Sequence, residues 1–156
     1  MGYLPKKLYE DIIRNMPIFC LDLVIIKDNR VLLIKRENHP MKGIYFTPGG
    51  RVYKNERIEC ALKRKAKEEI GIEIEKIHPL AFYEFFFKDS QVKDATIHGV
   101  GWFYLCRPVE KDFEIKLDAY ASDYKWEGLF SPDLHLILKE MFDGKTEIYY
   151  KEKKDE

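Results

Sequence analysis

Long apolar runs, a charge excess and a paired set of cysteines are all missing from this chain of 156 residues. No stretch approaches the roughly 20 apolar residues that cross a bilayer. The opening Met1-Gly2-Tyr3-Leu4-Pro5-Lys6-Lys7 has no apolar core of a secretory leader. No membrane partner is therefore expected. The 27 basic side chains are matched by 27 acidic ones. A nucleic-acid binder carries a basic excess or stripe, so this balance argues against nucleic acid and for a small-molecule ligand. Cys20, Cys60 and Cys106 are odd in number and far apart, without metal-ligand spacing. They fit reduced thiols of a cytoplasmic protein. Glutamine is reduced to Gln91, while Lys, Glu and Ile abound, a balance that leans towards heat adaptation.

What is present suffices for one domain over residues 1–156: 46% hydrophobic and 35% charged residues. Residues 4–15 read as a helix, with Leu4, Leu8 and Ile12 on one face and Pro17 beyond its end. Strands are expected at 18–27 and 31–36 around an Asp28-Asn29-Arg30 turn, then at 44–46, within 72–87, at 98–107 and at 124–129. Residues 111–123 read as irregular or a lid. A helix is expected at 132–142, with Pro132 in its first turn, and an edge strand at 147–150. Strands and helices interleave, which predicts an α/β fold, a mixed sheet with helices on both faces.

Between Gly49 and Ile72 the spacing becomes specific. Glu56 follows Gly50 by six positions, Arg64 follows by eight more, and Glu68, Glu69, Gly71 and Ile72 close the segment. Residues 55–70 read as a helix whose buried stripe is Ile58, Leu62, Ala66 and Ile70. Gly71 supplies a left-handed stop. Glu68 and Glu69 each have a basic residue four positions earlier, Arg64 and Lys65. Such spacing is ordinary on a solvated helix face. Adjacent carboxylates at one helix edge also suit a hard divalent cation that keeps water and phosphate oxygens in its shell.

The segment 50–72 resembles the Nudix box, with one defined position departing: Lys65 stands where the family has Glu. The resemblance implies a Nudix-type α/β/α sandwich with a mixed β-sheet, a hydrolase, and Mg²⁺ as cofactor, with Mn²⁺ as a substitute. Leu21-Asp22, Lys35-Arg36, Asn38, Pro40, Gly43, Phe46, Pro48 to Val52 and Asp123 to Trp126 extend the likeness to the GDP-mannose mannosyl hydrolase branch. That branch splits GDP-sugars at the sugar carbon. By resemblance, Gly49, Glu68 and Glu69 hold the metal. Arg36 and Arg51 serve catalysis and, with Asp22, the nucleotide sugar; paired forked donors suit a departing diphosphate. Tyr45 and Tyr120 are stacking candidates, and the Phe82–Phe87 cluster reads first as core. The likeness also implies a homodimer, to which the N-terminal helix is suited.

The branch's catalytic His is replaced here by Ala121, and its neighbouring metal-binding Gln by Tyr120. His98, Asp118 and Asp123 are the candidate bases, with Glu68 as a further option and His39 behind them; His78 and His135 read as structural. Lys65 either fills the cation's place or points to solvent. Two other readings stay open: attack at phosphorus on an ADP-ribose or nucleoside triphosphate type of substrate, and a nucleotide-binding module without catalysis.

Overall fold

A computed structural model describes residues 4–143. The elements run α1 (Lys6–Asn15), β1 (Ile18–Lys27), β2 (Arg30–Arg36), β3 (Tyr45–Phe46), β4 (Gly49–Arg51), α2 (Ile58–Ile70), β5 (Ile74–Phe87), β6 (Ile97–Pro108), β7 (Ala121–Gly128) and α3 (Leu136–Phe142). The seven strands form one mixed sheet along the path β3-β2-β1-β6-β5, with β4 also on β1 and β7 also on β2. β1 runs parallel to β6 and antiparallel to β2 and β4.

The alternation of β1 explains the layers. Leu21, Leu23 and Ile25 point to one face and bury against Ala61, Leu62, Ala66 and Ile70 of α2. Val24 points to the other, with Val31, Leu33 and Phe103, under Leu138 and Met141 of α3. Helices therefore cover both faces, the expected sandwich. α1 closes one end, where Ile13 packs with Val92 and Ile97, and Arg14 Nη2 donates to the Lys93 carbonyl at 2.8 Å.

Several boundaries move for local reasons. β1 and β2 are joined by Asp28 and Asn29 alone, both at positive φ (52° and 57°), and Arg30 already pairs with Lys27. That is a two-residue hairpin turn. The helix expected from residue 55 starts at Ile58, because Asn55 takes a left-handed φ of 65°. The helix expected from Pro132 starts at Leu136. His135 caps it, its Nδ1 accepting the Ile137 N–H at 3.3 Å. β7 starts at Ala121, three residues early, because it pairs along the whole of β2. The strand expected at 147–150 lies outside the described residues.

Residues 111–120 form no strand but run across the end of α2. The Lys116 N–H donates to the Ile70 carbonyl at 3.0 Å and the Asp118 N–H to the Glu69 carbonyl at 3.3 Å. These satisfy helix-end carbonyls that lack intrahelical partners, and they bring Asp118 beside Glu69.

Candidate active site

A cavity of about 730 Å³ opens between the end of α2, the Gly49–Arg51 strand and the α3-side face of the sheet. Asp22, Arg36, Gly49, Arg51, Glu68 and Glu69 all line it, as do Lys65 and Asp118. Residues far apart in sequence meet there because β4 lies against β1 with Gly49 opposite Asp22. A Cβ on Gly49 would lie 2.4 Å from the Leu21 carbonyl oxygen and 2.8 Å from Asp22 Oδ1. Only glycine permits that approach.

Glu69 sits at the back of the site. Its Oε2 accepts the Gly49 N–H at 2.9 Å and its Oε1 lies 2.6 Å from Lys65 Nζ. The side chain is 13% exposed, that of Lys65 is 15% exposed, and Glu68 stands at the rim with 46%. Burial pushes the Glu69 carboxyl above its usual range, against the lowering pull of Lys65 and of the Gly49 N–H. Glu68 Oε2 lies 3.1 Å from Arg64 Nη1 and 3.5 Å from Lys65 Nζ. Of the two alternatives for Lys65, the structure places its ammonium against the carboxylates and away from solvent.

Behind this rim Arg64 makes four hydrogen bonds. Nε and Nη2 donate to the two Glu56 carboxylate oxygens at 2.7 and 2.8 Å, Nη2 also to the Arg51 carbonyl at 3.0 Å, and Nη1 to Glu68. The guanidinium also lies 3.9 Å over the Tyr53 ring. Glu56 closes the loop by accepting the Tyr53 N–H at 2.9 Å. The Arg64 guanidinium holds the Glu56 carboxyl below its ordinary range.

Asp22 faces the cavity from β1. Burial pushes its carboxyl up from 3.8 to about 7, with Glu69 raising it further and the Thr47 hydroxyl and Arg36 opposing. Thr47 Oγ1 donates to Asp22 Oδ1 at 3.2 Å. Arg36 is anchored by Nε to the Pro40 carbonyl at 2.9 Å, and the Arg51 guanidinium lies 4.8 Å over the Tyr9 ring. Both arginines are thus held at the wall.

Strand parity sorts the remaining candidates. Tyr83, Phe85 and Phe87 of β5 line the cavity, whereas Phe82 and Phe86 are 51% and 69% exposed. Ile97 and Phe103 of β6 line it too. His98 has the opposite parity. It stacks on Phe86 at 4.5 Å and lies 3.0 Å from Glu84 Oε1, away from the cavity lining. Tyr45 also points away from that lining, its hydroxyl donating to Asp123 Oδ2 at 2.6 Å. Of His98, Asp118 and Asp123, Asp118 is the one among the cavity's lining residues, with Oδ1 accepting the Tyr120 N–H at 2.8 Å. Tyr120 and His39 line the cavity as well; His135 caps α3. Tyr9 and Thr47 were not foreseen, since neither belongs to a motif and each meets its partner only through the fold.

The donor set suits a hard divalent cation in kind: two adjacent carboxylates beside the backbone of the Gly49–Arg51 strand. Among the described residues no group of three or more His, Cys, Asp or Glu gathers around one point. A cation on Glu68 and Glu69 would complete its shell from backbone, water and substrate oxygens. It would also have to take Glu69 Oε1 from Lys65.

Comparison with known proteins agrees with this geometry. A low-salt glycan biosynthesis protein, Agl8 of Haloferax volcanii, is 41% identical over 134 residues, covering 81% of this chain and 83% of that one. An ADP-ribose pyrophosphatase of Methanocaldococcus jannaschii is 48% identical over 56 residues, covering 36% and 33%. The crystal structure of a MutT Nudix hydrolase from Burkholderia pseudomallei superposes with a TM-score of 0.67 at 25% identity, covering 83% of this chain and 98% of that one. The NUDIX domain model matches residues 21–148, the span from the first strand of the cavity to beyond α3; the chain belongs to the Nudix family of hydrolases.

Proposed function

We propose that this Nudix hydrolase splits a nucleoside diphosphate sugar of the GDP-mannose type, releasing nucleoside diphosphate and free sugar. One observation carries the reading: Asp22, Arg36 and Arg51 line the same cavity as Gly49, Glu68 and Glu69. Two guanidiniums anchored at the wall suit a diphosphate, where negative charge grows as the leaving group departs. Asp22, with its raised pKa, suits a hydrogen bond to a sugar hydroxyl. A relative named for glycan biosynthesis favours a sugar-bearing substrate.

Nudix enzymes generally need a divalent cation such as Mg²⁺, which when bound neutralises diphosphate charge. Glu69, Glu68 and the Gly49 carbonyl would hold it. Arg36 and Arg51 orient the diphosphate. Asp118 takes the proton of the attacking water, since it lines the cavity beside Glu69, while Glu68 is paired with Arg64. The water oxygen bonds to the anomeric carbon, that carbon's bond to the phosphate oxygen breaks, and the bonding pair leaves with the nucleoside diphosphate.

Hydrolysis of a nucleotide-sugar panel in ¹⁸O-labelled water with Mg²⁺ tests this. The label is expected in the free sugar, with the nucleoside diphosphate unlabelled. Label in a phosphate, with sugar phosphate released, establishes attack at phosphorus. Glu68 favours that second reading, since Arg64 holds it beside Glu69 as a further carboxylate. Metal-independent nucleotide binding without turnover would establish a binding module instead.

A further inference from the structure

Lys65 occupies the one defined box position that departs from the family pattern, and it is engaged with the site itself. Its Nζ lies 2.6 Å from Glu69 Oε1 and 3.5 Å from Glu68 Oε2, so one ammonium serves both carboxylates. Its stem runs over Gly50, where an added Cβ would lie 3.0 Å from Lys65 Cε and where φ is +156°. Glycine at 50 therefore leaves room for the lysine stem and tolerates that positive φ. The neighbouring cation cannot take over. Arg64 is committed to Glu56, the Arg51 carbonyl and Glu68.

We propose that Lys65 is a tethered counter-ion of Glu69, which holds the site together in the metal-free protein and which a divalent cation must displace in order to bind. A buried carboxylate without a positive partner is strongly unfavourable. In the metal-free state Lys65 supplies that charge from 2.6 Å. A cation arriving at Glu69 Oε1 competes with the ammonium for the same oxygen, and like charges at such range repel. Lysine suits an exchangeable role: a point charge on a flexible stem moves without breaking a fork of several bonds. Two consequences follow. Cation affinity is set by a competition inside the protein, and the empty site keeps its shape between turnovers. The inference rests on the cation reading of Glu69 and is independent of which substrate is hydrolysed.

Mn²⁺ titration of the full chain, followed by the spin-resonance signal of the free ion, tests it together with thermal melting. Lys65→Met keeps the stem and removes the charge. It is expected to bind Mn²⁺ about tenfold or more tighter than the parent, to melt lower without metal, and to regain the loss when Mn²⁺ is added. Equal or weaker Mn²⁺ affinity in Lys65→Met, with the parent binding normally, overturns the inference alone. Absence of Mn²⁺ binding in both proteins overturns the cation reading of Glu69 and this inference with it. Should Lys65→Met fail to fold, amine acetylation of the unaltered protein reads the same exchange. Site-resolved mass spectrometry should show Lys65 labelled slowly without metal and faster as Mg²⁺ is added; a rate indifferent to Mg²⁺ overturns it.

Discussion

Two ion-pair clusters sit one residue apart on the same helix, and they are built for opposite ends. Around Arg64 nearly every polar group is answered: a forked guanidinium meets both oxygens of Glu56, a backbone carbonyl and the rim carboxylate. Around Lys65 a single ammonium stands against two carboxylates. The titration behaviour divides in the same way. Arg64 lowers Glu56, whereas burial raises Glu69 and Asp22. The Arg64 cluster lowers the energy of one arrangement, tying the 51–56 loop to α2. The Lys65 cluster leaves charge incompletely compensated inside a cavity, which is the condition under which an incoming cation or phosphate finds favourable work to do.

The largest effect should come from the incompletely compensated side. Glu69→Gln keeps the shape and the acceptor for the Gly49 N–H but removes the charge. The value of kcat/KM is expected to fall at least about a hundredfold, with the folded far-UV spectrum retained. Mg²⁺-dependent turnover at the parental rate would erase the distinction between the clusters.

The satisfied side should answer in stability instead. Glu56→Gln removes the main counter-charge of a guanidinium that is 20% exposed and leaves it only the rim carboxylate Glu68, and is expected to lower unfolding free energy by about 2 kcal/mol. Chemical denaturation checks this. A variant that melts normally but loses Mg²⁺ affinity would move Glu56 from scaffold to site.

The third effect is subtler and depends on pH. Asp22 has a folded pKa of about 7 against an ordinary 3.8. Between those values the unfolded chain has lost a proton that the folded one keeps, so stability from this group is full below 3.8 and declines as pH rises to about 7. Glu56, lowered in the fold, works the other way and loses its contribution only in acid. Asp22→Asn should flatten the decline in denaturation midpoint between about pH 4 and 7. An unchanged slope would place the compensating charge elsewhere in the cavity.

The separation between these clusters also marks what could be seen beforehand. The box helix, its Ile58-Leu62-Ala66-Ile70 stripe and the Lys65–Glu69 neighbourhood depend on spacing within one element, which sequence displays directly. The layered fold is legible in the interleaving of strand and helix segments along the chain. What stayed hidden was set by pairing across long separations. Gly49 forms a strand against Asp22, 27 positions away in the chain, and Asp118 reaches Glu69 because an irregular segment satisfies the end of α2. His98 looked well placed along the chain; parity with Ile97 and Phe103 puts it on the other side of the sheet. A slip of one residue reverses a side chain's face, so strand position alone is weak evidence for membership in a site.

The parallel register of β1 with β6, from Ile18 opposite Gly99 to Ile25 opposite Cys106, has a kinetic corollary. Hairpins such as β1–β2 form from neighbouring residues, but this pairing must first bring together segments separated by about half of the chain, at a loop-closure entropy that precedes any gain. Asp22 rides on β1 and the aromatic wall on β5, which is anchored to β6. The pocket therefore comes into being only with a pairing of distant segments, and a chain stalled before that step has its Nudix helix without anything to hold a substrate.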